Sequence, residues 1–134
     1  EGDVLLTEGG DFDKLGRGTV WRNEIPDCLH QNHVFCVRAN RDLLVPEFLS
    51  YQTSSHYGRS YFLRCAKKTS NLASVNSTQV KSFPLLLPGL DEQQRFVDSI
   101  RPIEEQMDAV QEHLARLLTV KKAVLETLSS GGLE

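Results

Sequence analysis

Apolar residues recur at Phe96, Ile100, Ile103, Met107, Val110, Leu114, Leu117, Val124 and Leu128. The steps alternate four and three, and only Lys121 breaks the row. Spacing of this kind is a heptad seam, the pattern that lets one helix lie lengthwise along another. It runs for nearly five repeats. A helix over 91–128 would reach about 57 Å at ~1.5 Å per residue. A small domain has a radius of gyration of only about 13 Å. The sequence therefore predicts a helix that projects or finds a long partner. Ile103, Met107, Val110, Leu114, Leu117, Lys121, Val124 and Leu128 are its pairing positions.

The stretch "PLLLPGLDEQQRF" leads into that helix. Gln79 to Phe83 lead into the leucine run, which reads as the last strand. Asp91 reads as the N-cap, with Gln94 completing a capping-box pair. Pro102 lacks an N–H and crowds the preceding turn, which predicts a kink or a restart near Arg101.

Upstream, Val4–Thr7, Thr19–Trp21 and His33–Arg38 read as short strands. "EGGDFDKLGRG" reads as a mobile loop. Pro46 opens a helix toward His56, with Gly58 ending or interrupting it. Residues 66–78 are polar and turn-like. The expected class is α+β: a small mixed-sheet globular domain over residues 1–90, then a long projecting coiled-coil helix over residues 91–134.

Charge is segregated along the chain. Residues 1–13 carry five acids and no base. Residues 14–90 carry ten bases against four acids, a balance of +6, and residues 91–134 carry nine acids against five bases. A basic middle with an acidic arm suits a protein that meets phosphate with one part and protein with another. Three cysteines without framework spacing favour a reducing cytoplasm. No apolar run approaches the roughly 20 residues of a membrane span. The abrupt opening "EGDVLL" suggests further sequence upstream.

Sites for chemistry are weak. Cys28, His30, His33 and Cys36 have zinc-ligand side chains but the wrong spacing. His33 and Cys36 also fall on opposite faces of a strand, so no metal is expected and Cys36 reads as a buried strand cysteine. No elbow surrounds a cysteine nucleophile. The glycine loop lacks phosphate-loop context, and Asp11 and Asp13 read as solvated loop residues. No cofactor is implied. Three polar clusters suit nucleic acid better: Lys14, Arg17 and Thr19; His30, Gln31 and Asn32; Lys67, Lys68, Thr69, Ser70 and Asn71. Lysine and arginine neutralise phosphates, while arginine, glutamine and asparagine match base edges.

"GDVLLT", "NHVFCVRAN", "VPEFLSYQTSS" and "VNSTQVKSFPLLLPGLDEQQRF", with the tail "AVLETLSSGGLE", resemble the specificity subunit of type I restriction-modification systems. The resemblance covers nearly all of the chain, and the proline–leucine–proline step into a Glu-Gln helix start is its most specific part. It implies a non-catalytic reader of half a bipartite site in double-stranded DNA, with methyltransferase and restriction subunits as partners. The helix would be the spacer between two readers, paired with a second copy or a second half. The chain holds one domain-plus-helix unit, which fits a fragment or a reduced form. The rival reading is a non-DNA-binding scaffold or coiled-coil dimerisation module. A transferring enzyme ranks third, without a cofactor motif.

Overall fold

The computed structural model describes residues 1–12 and 14–129. Asp13, and the segment from residue 130 that closes the "AVLETLSSGGLE" tail, lie outside the described residues. The first compact unit runs from Glu1 to Val97, and a second begins at Asp98.

Strand β1 (Val4–Thr7) is central to the first sheet, flanked antiparallel by β3 (Gly18–Val20) and β4 (Val34–Val37). Strand side chains alternate between faces. Val4 and Leu6 are accordingly buried, while Leu5 and Thr7 are only partly covered. The buried face packs on α1 (Pro46–Ser54), with Leu44, Phe48, Leu49 and Val97 completing the cluster. Proline opens α1, where its missing N–H is no loss. Ser50 Oγ donates to the Gly18 carbonyl at 2.9 Å, so helix and strand backbone lie close.

Ser55 both ends α1 and caps α2 (His56–Cys65), its side chain accepting the Gly58 N–H at 3.3 Å. The interruption expected at Gly58 thus falls three residues earlier. Gly58 sits in the first turn of α2, where a Cβ would lie 2.3–2.4 Å from the Gln52 and Thr53 carbonyl oxygens. Phe62 of α2 is wholly buried with Leu15, Ala73 and Val75, and it stacks on Phe83 with centroids 5.3 Å apart. Gly16, at φ +65°, passes so close to that ring that a Cβ would meet it at 2.2 Å.

Residues 66–78 are more regular than their polar composition predicts. They hold a hairpin of β5 (Lys67–Lys68) and β6 (Ala73–Ser74). Strand β6 also pairs with β2 (Gly9–Gly10), giving a second small sheet inside the glycine-rich loop. Asn76 then caps the short helix α3 (Ser77–Lys81) through a reciprocal bond pair with Gln79. The α+β class holds, and every described strand pair is antiparallel.

The leucine run is not a strand. Residues 82–89 have no regular hydrogen-bonded structure, and Leu86 and Leu87 are exposed. The Gln52 side chain replaces a strand neighbour: its Nε2 donates to the Leu86 carbonyl at 2.6 Å, and its Oε1 accepts the Leu86 N–H at 2.9 Å. One amide therefore satisfies both backbone groups that a ladder would otherwise pair.

Helix α4 runs from Leu90 to Ser129. The Gly89 carbonyl accepts from the Glu92 and Gln93 N–H groups, so the helix starts before Asp91, which is not its N-cap. Asp91 and Glu92 occupy the first turn, where acids suit the helix dipole. The helix is unbroken at Pro102 and shows no restart. Its first turns are bound to the domain: Gln93 and Val97 are buried, and Phe96 meets Phe48 and Tyr51 edge-on at 5.6 and 6.1 Å. From Ile103 onward, Met107, Val110, Leu114, Leu117, Val124 and Leu128 are all exposed. Among the described residues no helix is long and apolar enough to cross a membrane.

Candidate nucleic-acid interface

Four residues, Thr7 to Gly10, bond to the loop of the first polar cluster and to residues that adjoin the second and third. Thr7 holds the first. Its N–H donates to the Arg17 carbonyl at 3.2 Å, its carbonyl accepts the Gly16 N–H at 3.2 Å, and its hydroxyl donates to the Lys14 carbonyl at 2.5 Å. Glu8 holds the second. Its N–H donates to the His33 carbonyl at 3.0 Å, and its carboxylate meets His33 Nδ1 at 2.7 Å. Gly9 and Gly10 hold the third by pairing with Ser74 and Ala73, the return strand of the Lys67–Ser74 hairpin. Loops distant in sequence therefore leave one short segment.

Within the first cluster, Lys14 Nζ lies 2.6 Å from Asp11. The lysine hydrogen bond holds the Asp11 carboxyl below the usual carboxylate range. Thr19 points outward from β3, opposite Leu5. It stands on the sheet and not in the loop that carries Lys14 and Arg17. In the second cluster, Gln31 and Asn32 are exposed and the Gln31 carbonyl caps the start of β4 by accepting the Val34 N–H. His30 Nδ1 lies 3.0 Å from that same Gln31 carbonyl oxygen. In the third, Thr69 and Leu72 close a two-residue turn over Ser70 and Asn71, with the Thr69 N–H donating to the Leu72 carbonyl at 2.8 Å. Lys67, Lys68, Ser70 and Asn71 are all exposed.

A groove of about 550 Å³ is lined by the Glu8–Gly10 segment, His33 and the Lys67–Ser74 hairpin. Glu8, Gly10, His33, Lys67, Thr69 and Leu72 line it. Its lining carries a carboxylate, an imidazole, an ammonium group and glycine backbone.

The four candidate zinc residues do not converge. Among the described residues no group of three or more histidine, cysteine or acidic side chains is close enough to hold a metal. Cys36 is exposed on β4 and not buried. Its thiol donates to Asp3 at 3.5 Å and is pushed up by partial desolvation of the sulfur and by that carboxylate. A raised thiol is the opposite of what a nucleophile needs.

Sequence reasoning missed the ion pair of Asp3 with Arg38. Arg38 Nε and Nη2 each donate to Asp3 at 2.7 Å, a bidentate fork. The Arg38 hydrogen bonds hold the Asp3 carboxyl down at about 2, and the carboxylate raises the guanidinium in turn. Asp3 precedes β1 and Arg38 follows β4, so only the pairing of Val4 with Val37 brings them together. No spacing rule could have joined them.

No protein-family model matches the chain. It is 23% identical over 131 residues to a protein of Methanocaldococcus jannaschii assigned as the type I restriction enzyme MjaX specificity subunit. That match covers 98% of this chain and 31% of the relative. It is 25% identical over 139 residues to the type I restriction enzyme EcoKI specificity subunit of Escherichia coli K12, covering 99% and 30%. The StySPI specificity subunit of Salmonella potsdam matches at 22% over 127 residues, covering 94% and 27%. The resemblance read from the motifs extends over nearly the whole chain in each comparison. The chain is similar to specificity subunits of type I restriction enzymes and spans 27–31% of the length of those it matches.

Proposed function

We propose that the chain is a DNA-recognition module of a type I restriction-modification complex. It reads half of a bipartite site with a domain over residues 1–90 and positions partner subunits through a helical arm over residues 91–134. The observation that carries this reading is the bonding of residues Thr7–Gly10 to the first polar loop and to residues that adjoin the other two, loops that lie in a segment of the chain whose charge balance is +6. Lys14, Lys67 and Lys68 contact phosphate, as flexible point charges do. Arg17, Gln31 and Asn32 address base edges, where two-pronged hydrogen bonding discriminates. Thr19, His30, Thr69, Ser70 and Asn71 complete the surface.

The module performs no chemistry in this reading. Methylation and cleavage belong to methyltransferase and restriction subunits, and no cofactor is needed here. The exposed seam from Ile103 to Leu128 supports pairing with a second copy or second half. That same seam favours the rival reading, in which the chain is only a coiled-coil scaffold.

Duplex binding across a salt series separates the two. A DNA reader loses affinity linearly on a log–log plot as salt rises, with a slope near −0.9 per phosphate neutralised. It also retains a specific advantage over scrambled duplex. A scaffold shows neither, and that outcome overturns the proposal.

A further inference from the structure

Each of the three loops holds a large apolar side chain in the open. Phe12 stands beside Lys14, Leu29 beside His30, Gln31 and Asn32, and Leu72 beside Asn71. Leu29 is the extreme case, at 93% exposed. It sits in a crossover between β3 and β4, two strands that run parallel on either side of β1. Residues 22–33 of that crossover are all exposed, so Leu29 has no core to serve. A leucine held in water gains nothing from folding, whereas covering one with an apolar surface is favourable.

Its neighbours indicate what covers it. Glutamine and asparagine form paired hydrogen bonds with adenine N6 and N7 in the major groove. The thymine paired with that adenine presents its 5-methyl group on the same groove floor, the one apolar feature there. An apolar side chain adjacent to two amides matches that combination. A protein partner would more often meet a contiguous apolar patch; Ile25 and Cys28, also exposed, precede Leu29, but Asp27 interrupts them and the residues that follow Leu29 are polar.

We infer that Leu29 packs on a thymine methyl group, so that the half-site read by this loop contains an A·T pair. The inference rests on the DNA-reading proposal and names one element of its specificity.

The test uses the full chain and a pool of randomised duplexes, selected for binding. Each thymine of the enriched site is then replaced singly by uracil, which removes only the methyl group. Wild type is expected to lose about fourfold in affinity at one such position, the equivalent of one buried carbon. Leu29→Ala is expected to bind about five- to tenfold more weakly and to ignore that same replacement. The side chain is exposed, so the variant folds as wild type does. If wild type and Leu29→Ala respond alike to every uracil on a specifically bound duplex, the inference is overturned and the DNA-reading proposal stands. If no duplex is enriched at all, the proposal beneath it fails, and this inference fails with it.

Discussion

The Gln93 side chain is joined to the backbone of Val45, its Oε1 accepting the Val45 N–H at 2.9 Å. The same amide donates through Nε2 to the Leu43 carbonyl at 2.9 Å and the Pro88 carbonyl at 2.7 Å. Gln93 is fully buried. One side chain thus fixes the entry to α1, the end of the leucine run and the first turn of α4. It also falls three residues before Phe96, in step with the heptad seam. The domain therefore covers part of the seam at its start, where Phe96 stays half-exposed, and from Ile103 onward the row of apolar side chains is exposed.

Removing that amide should loosen the arm from its domain. Gln93→Ala leaves one donor and two acceptors without their partner in a buried place. The expected loss is about 2–4 kcal/mol, since each orphaned group costs ~1–3 kcal/mol less what water recovers. Gln93→Glu should be at least as harmful at neutral pH, because a carboxylate cannot donate to two carbonyls. Urea midpoints of the three proteins check this. Equal midpoints would show that the amide is dispensable.

Gly58 makes a sign test. Replacing glycine by alanine inside a helix normally stabilises by about 1 kcal/mol. Here the new Cβ would press on two backbone carbonyls that cannot rotate away. Gly58→Ala is therefore expected to destabilise by about 1–3 kcal/mol. A higher melting temperature for the variant would show that the α1–α2 joint can shift.

The Asp3–Arg38 fork gives a pH dependence. Asp3 has a folded value of about 2, below its ordinary 3.8. A depressed carboxyl contributes stability that is complete above its unfolded value and is lost as pH falls through its folded value. The loss should run from about pH 5 down toward pH 2. Asp3→Asn should flatten that limb while lowering stability at pH 7. Melting temperatures from pH 7 to pH 2.5 read it directly. Parallel curves for the two proteins would mean that the exposed guanidinium is too well solvated to contribute.

The sequence exposed some of this architecture and hid the rest for a physical reason. Periodicity records which side chains avoid water. The apolar run Val4–Thr7 was therefore legible as a strand, the four–three steps from Phe96 to Leu128 as one long helix, and Pro46, whose missing N–H suits a helix start, as the opening of another. Side-chain amides that replace backbone partners leave no periodic trace. The leucine run reads as a strand because nothing in its own residues reveals that Gln52 takes both hydrogen-bonding groups of Leu86. Gln93 likewise hides in a polar helix start. The candidate interface divides the same way. The composition of each loop was visible, but their common tether depends on pairings such as Gly9 with Ser74, which join residues far apart in sequence.

The seam makes a prediction about association. Leu114 and Leu117 are more than half exposed in the single chain. Truncating both to alanine should leave the stability of the isolated fold nearly unchanged. If they are buried between helices, each truncation should weaken the pair by about 2–5 kcal/mol. Lys121, the charged seam position, should behave oppositely, with Lys121→Leu tightening self-association. Sedimentation across a concentration series measures both. A strict monomer for wild type and all variants ends the self-pairing idea.

The loops should fail in two distinguishable ways. Lys67 stands at the start of an exposed hairpin, where an ammonium group can reach phosphate but has no planar fork for a base. Lys67→Ala is expected to weaken binding to every duplex about equally and to reduce the salt slope by about one. Arg17 carries such a fork, and its carbonyl ties its loop to Thr7. Arg17→Ala should cost about 1–3 kcal/mol on the cognate half-site and much less on scrambled duplex, relaxing one base position. Fluorescence anisotropy on cognate and scrambled duplexes at several salt concentrations resolves both terms. If Lys67→Ala changes specificity and Arg17→Ala only the salt slope, the two roles are reversed. If neither variant alters affinity for any duplex, these loops do not touch DNA, and the coiled-coil scaffold becomes the better account of the chain.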